Sequence, residues 1–241
     1  MRELLEMIKN DSRFSVQYKN RTSDSFGIFL YDYPEFSVAE KNYDDQSVAG
    51  RLGTLVGKDI SKGNLEITCT FSVLHPSFMA EIREIKRWLS GTGGLILSDS
   101  PEIYYAVQKV NYGSIERELR HYGRFAATFV CTPFEYLVEG KREYEIREVL
   151  FNPYCVCHPI YRITGEGSCS LHVNGNTMSA NIGQNLTIDT ERMMAYRSNG
   201  ELQNTSVTGD YENMYFKEGE NEITITDGFD MKIVPNWGYD V

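Results

Sequence analysis

The residue types that do chemistry come together once in this sequence, at Cys155-Val156-Cys157-His158. Two thiolates and an imidazole are zinc-ligand types, but zinc sites generally place two or more residues between paired ligands. Only Cys169 and His172 follow as a second pair. On a strand, residues two apart share a face, so Cys155 and Cys157 read as small thiols packed on one side. Nucleophilic catalysis finds no foothold among the four histidines, His75, His121, His158 and His172. No serine sits in a Gly-x-Ser-x-Gly elbow and no cysteine lies in a catalytic context. With 34 Asp and Glu, paired carboxylates across a cleft stay open as glycosidase chemistry, although solvated surface is the simpler reading. Gly91-Thr92-Gly93-Gly94 follows a helix pattern where a phosphate loop would precede one, and so reads as a turn. The expectation is a protein that is not an enzyme and holds no metal and no cofactor.

A second constellation, His172-Val173-Asn174-Gly175-Asn176, is similar to the His-x-Asn-x-Arg pattern with which galectins hold galactose. Asn176 replaces the arginine, and its amide lacks the planar charged fork that grips sugar hydroxyls. Asn174-Gly175 between two alternating runs is also a hairpin turn signal, because both residues tolerate positive φ. His172 and Asn174 stand as candidate sugar contacts with the turn as the competing reading.

The elements that must position these residues follow from patterning. Leu65, Ile67, Cys69, Phe71 and Val73 alternate with polar residues, the period of a half-buried strand. Phe78, Ile82, Ile85 and Leu89 then recur at helical spacing after His75-Pro76-Ser77. Glu81 and Glu84 lie early, Lys86 and Arg87 late, and Gly91 stands where a left-handed cap belongs. Three strand-like runs, at 95–98, 103–112 and 123–131, complete an α+β unit with one prominent amphipathic helix. Past a charged stretch from Glu135 to Glu148 no helix pattern appears. Short alternating runs such as 185–190 and 221–227, punctuated by Asn-Gly and Asp-Gly turns, predict a β-sandwich. The chain reads as mainly β, with domains at 1–137 and 138–241.

Composition narrows the function classes. The 241 residues carry a net charge of −10, and no stretch approaches the roughly 20 apolar residues of a membrane span. Membrane insertion and sequence-specific nucleic-acid binding are therefore not expected. The N-terminal MRELLEMIKNDSRF lacks the apolar core of an export signal, and five sparse cysteines suit a reducing compartment. The charge is uneven: residues 1–134 carry 16 basic and 17 acidic side chains, residues 135–241 carry 8 and 17.

The order of segments resembles the distal tail proteins of long, flexible, non-contractile-tailed bacteriophages. The resemblance rests on Arg21-Thr22-Ser23-Asp24-Ser25-Phe26-Gly27, Pro34, Gly50-Arg51-Leu52-Gly53-Thr54-Leu55 and Phe129-Val130-Cys131-Thr132-Pro133, with Asn152, Pro153, Pro159 and Gly219-Glu220-Asn221-Glu222-Ile223 further on. It covers nearly the whole chain, with Leu52 standing where an acidic residue is frequent and a charged extension before the usual start. It implies a belt-like ring-forming first domain and a galectin-like second domain. It also implies a homohexameric baseplate hub at the virion tail tip, made in the host cytoplasm. That hub joins the tail tube protein to the tail-tip (tail-associated) protein around a DNA channel, with a receptor-binding protein as a further partner. Gly50, Arg51, Gly53 and Leu55 are then interface candidates. Two other readings are a carbohydrate-binding host-adhesion protein acting through the second domain and a β-rich cell-wall hydrolase.

Overall fold

A computed structural model describes residues 14–47, 49–50, 52–54, 57, 59–74, 78–119, 121–146 and 149–241. The chain is mainly β and divides into two compact units, one running up to Glu135 and including Asp240–Val241, the other Tyr136–Tyr239.

Strands of the first part are β1 (Val16–Tyr18), β2 (Arg21–Thr22), β3 (Ile28–Leu30), β4 (Glu35–Phe36), β5 (Lys41–Tyr43), β6 (Asp59–Lys62), β7 (Leu65–Leu74), β8 (Gly93–Leu97), β9 (Ile103–Tyr112), β10 (Glu116–Leu119) and β11 (Tyr122–Leu137). One α-helix, α1 (Phe78–Trp88), is found among the described residues. The sheet order is β2-β1-β8-β9-β11-β7-β3, with β4 on β7 and both β10 and β20 (Gly238–Asp240) on β11. The alternation from Leu65 to Val73 is realised in full. All five apolar residues are buried, and β7 pairs with β11 from Leu65↔Cys131 to Leu74↔Tyr122.

Helix α1 buries Ile82, Ile85 and Trp88 in the same core, and Leu89 follows, its N–H donating to the Ile85 carbonyl at 2.9 Å. Gly91 then takes φ 78°, the left-handed conformation that ends a helix without a Cβ penalty. Trp88 is the keystone: its ring lies 5.0 Å from Phe26 and 6.3 Å from Phe71, and its Nε1 donates to the Tyr18 carbonyl at 2.9 Å. The polar stretch 40–63 holds the β5–β6 pair, starting at Lys41↔Lys62. One feature departs from the sequence reading. Strand β11 continues through Pro133 to Leu137, whose N–H donates to the Trp237 carbonyl at 2.8 Å.

The second unit is built on β12 (Tyr144–Glu145), β13 (Val149–Asn152), β14 (Ile160–Val173), β15 (Asn176–Asp189), β16 (Met194–Tyr196), β17 (Val207–Thr208), β18 (Gly219–Ile225) and β19 (Asp230–Val234). Its spine is the β14–β15 hairpin, paired without a break from Ile160↔Asp189 to Val173↔Asn176. The first half of β14 takes β19 on its other edge, at residues 160–164, and the second half takes β18, at residues 171–173. Gly165 (φ 148°), Gly167 (φ 104°) and Gln184 (φ 70°) lie where the neighbour changes. Tyr161, Ile163, Leu171, Val173, Ile182, Ile188, Phe216 and Ile233 are among the buried side chains, and the Tyr161 hydroxyl donates to the Met214 carbonyl at 2.6 Å.

Candidate functional site

The cysteine cluster is not on a strand. The chain bends between β13 and β14, and only Cys157 makes an isolated bridge, to Phe216. Cys157 is buried, and its thiol donates to the Cys155 carbonyl at 3.0 Å, whereas the half-buried Cys155 thiol donates to the Gly238 carbonyl at 3.2 Å. The same-face packing expected of a strand is lost because Pro153 and the buried Asn152 turn the chain. The Asn152 amide donates to the carbonyls of Cys155 (2.8 Å) and Lys217 (3.1 Å), and its oxygen accepts the Tyr154 N–H at 3.0 Å. Burial pushes the Cys157 thiol up to about 11, away from the thiolate a metal would need. Among the described residues no group of three or more His, Cys, Asp or Glu is placed to hold a metal ion. His75 lies outside the described residues.

His172 and Asn174 fall at one end of the β14–β15 hairpin. Asn174 (φ 52°) and Gly175 (φ 82°) form its two-residue turn, both in the left-handed region. The Asn174 side chain makes one bond at each end of its amide within the unit. Its amide donates to the Asn221 side-chain oxygen at 2.8 Å, and its oxygen accepts the Glu222 N–H at 3.1 Å. His172 is exposed, with Nδ1 2.8 Å from the Thr177 hydroxyl. Asn176 donates to the Asn213 carbonyl at 3.3 Å. A hexose at this hairpin would meet the His172 imidazole and the Thr177 hydroxyl, while one Asn174 N–H is already committed to Asn221.

Of the interface candidates, Gly50 (φ 83°) and Gly53 (φ 81°) both take left-handed backbone, with open space where a Cβ would stand, and Leu52 between them is fully exposed. Arg51 and Leu55 lie outside the described residues. Sequence reasoning missed the larger feature beside them. Phe29, Tyr31, Tyr33, Phe36 and Val38 are all exposed, Tyr33 at 72% and Val38 at 86%. They lie along the segment that edges the first sheet, where β3 and β4 pair in turn with β7 and Tyr31 and Ser37 add backbone bonds to Thr70 and Glu66. Phe14 meets Tyr33 edge-on at 5.3 Å, and the Arg124 guanidinium lies 4.0 Å from the Tyr31 ring centre. The signal was present in the sequence. Ile28 and Leu30 on one side of the segment, Phe29 and Tyr31 on the other, make a strand apolar on both faces, and a lone sheet buries only one.

Fold and surface together define a mainly β protein of two units with an apolar sheet edge. No family model matches the sequence, and no curated protein is similar to it in sequence. The same fold occurs in the crystal structure of the SPP1 Dit (gp 19.1) protein, described as a paradigm of the hub adsorption apparatus in phages that infect Gram-positive bacteria. That likeness has a TM-score of 0.65 at 13% identity and covers 91% of this chain and 97% of that one. No described helix is long and apolar enough to cross a membrane.

Proposed function

We propose that this chain is a phage or prophage distal tail protein, a non-enzymatic hub at the tail tip. In this reading it forms a homohexameric ring that joins the tail tube protein to the tail-tip protein and leaves a channel for DNA. A receptor-binding protein is a further partner. The observation that carries the reading is the shared fold over both units, 91% of the chain, with a protein described as part of a hub adsorption apparatus.

Residues 1–137 carry the ring contacts in this proposal, and 138–241 form a galectin-like sandwich on the outside. The exposed Phe29-to-Val38 edge supports that division, since an apolar strip on one subunit needs cover from the next. The hub reading is preferred to sugar binding because Asn176 stands where galectins have arginine and the Asn174 side chain is held by Asn221 and the Glu222 N–H.

Light scattering on the full chain tests it. The expected mass is six times 27.6 kDa. Tyr33→Lys combined with Val38→Asp is expected to lower the mass to that of smaller species and leave the thermal melt nearly unchanged, as exposed substitutions generally do. A monomer at every concentration and salt overturns the ring.

A further inference from the structure

We propose that the open edge of β13 accepts an added strand from a partner protein, an extended segment alternating arginine or lysine with apolar residues. The argument rests on the second unit alone and does not depend on the hub reading.

Strand β13, Val149-Leu150-Phe151-Asn152, is held rigidly by its inner side. Asn152 and Asn221, which sits opposite Leu150 on β18 and diagonal to Asn152, are both fully buried. Asn221 accepts from Asn174 and from the Lys217 N–H, each at 2.8 Å, and donates to the carbonyls of Lys217 (2.9 Å) and Gly219 (3.1 Å). With those two side chains locked inward, alternation sends Val149 and Phe151 outward, where they are 50% and 62% exposed.

Among the described residues the backbone edge is open too. Glu222 directs its carbonyl to the Asn174 N–H at 2.9 Å and its N–H to the Asn174 side chain at 3.1 Å, toward β14. Val149 pairs with Glu222 and Phe151 with Glu220 across β18. In an antiparallel ladder this leaves Leu150 bonding to Asn221 and turns the N–H and C=O of Val149 and Phe151 to the far side. No described strand pairs there. Edges of this kind are usually blunted by lysine, proline or a bulge, and Val149–Asn152 carries neither charge nor proline.

Charge selects the occupant. Glu220 and Glu222 stand on the same face as Phe151 and Val149, exposed and without an ion pair among the described residues. An added strand would run about 4.8 Å from β13, placing those carboxylates about 10 Å from it. An arginine or lysine spans that gap, its stem laid over Val149 and Phe151 and its charged head at the glutamates. The alternate side chains of the segment face the half-buried Leu150 and are apolar. A second copy of β13 supplies no cation and adds two more carboxylates to the same face.

The test uses the full chain and a capped seven-residue peptide of alternating arginine and valine, beside the same peptide with glutamate for arginine. Saturable binding is expected at least about tenfold tighter for the arginine peptide, weakening as NaCl rises from about 50 to about 500 mM. Hydrogen exchange should slow at the Val149 and Phe151 amides. Phe151→Lys is expected to abolish binding. Glu220→Gln with Glu222→Gln, a surface change that leaves the inner asparagines in place, is expected to erase the preference between the peptides. Equal affinity of the unaltered chain for both peptides overturns the proposal, as does binding that survives Phe151→Lys or a preference that survives the two glutamine changes. So does concentration-dependent protection of the two amides without peptide, which assigns the edge to a second copy.

Discussion

Tyr18 is fully buried and makes three contacts with residues distant in sequence. Its hydroxyl donates to the Gly91 carbonyl at 2.6 Å, its own carbonyl accepts from Trp88, and its ring meets Phe129 edge-on at 5.4 Å. Burial, with Cys131 nearby adding repulsion, pushes the phenol up to about 12 from an ordinary 10.0. The folded state therefore prefers the neutral phenol. That contribution is complete below pH 10.0, falls as pH rises, and is gone above about 12. Melting temperature is expected to drop above pH 10.0, and Tyr18→Phe should flatten the drop. At neutral pH the same variant should cost about 1 kcal/mol for the lost Gly91 bond. Thermal melts across pH check both. Tyr18 was not legible as a special residue, because its partners Gly91, Trp88 and Phe129 are distant in sequence. Cys157 shows the same limit, since its burial depends on Phe216.

At the scale of elements, the β14–β15 ribbon carries two glycines at positive φ inside a strand. Thr164-Gly165-Glu166-Gly167 punctuates like a loop, yet it lies inside a continuous 14-residue strand. Gly165 takes φ 148°, and a Cβ there would stand 2.3 Å from the Phe229 ring. Gly165→Ala is expected to destabilise the chain by about 2 kcal/mol or more, through backbone strain and that collision. Combining it with Phe229→Ala should recover only the collision share, which a double-mutant cycle in urea measures. By contrast β7 and α1 were readable residue by residue. Their partners lie on one face, and single-face burial imposes the period of two or of 3.6 that a sequence displays.

At the scale of the whole molecule the net charge of −10 decides the expected conditions of assembly. In the proposed ring six copies sum to about −60, and repulsion among exposed carboxylates falls within a Debye length of about 10 Å at 0.1 M salt. Rings are therefore expected to grow at the expense of smaller species as salt rises, measured by scattering mass against NaCl. Dissociation with salt would instead assign the ring contacts to ion pairs. The apolar Phe29-to-Val38 edge fits the first outcome, since burial of apolar surface is not screened by salt.

Sequence alone determined the mainly β composition, the β7 alternation, the amphipathic helix with its Gly91 cap and the Asn174-Gly175 turn. Each is a local rule about what one face or one backbone conformation tolerates. The tertiary structure alone decided that Asn174 donates one amide N–H to Asn221, that Asn152 and Asn221 lock β13 from within, and that Phe29, Tyr31 and Tyr33 remain outside. Those outcomes depend on which distant segment arrives beside each residue. Phe29 and Ile28 are equally apolar in the sequence and both pair with β7, and only the core packed on one face of that sheet buries Ile28 and leaves Phe29 exposed.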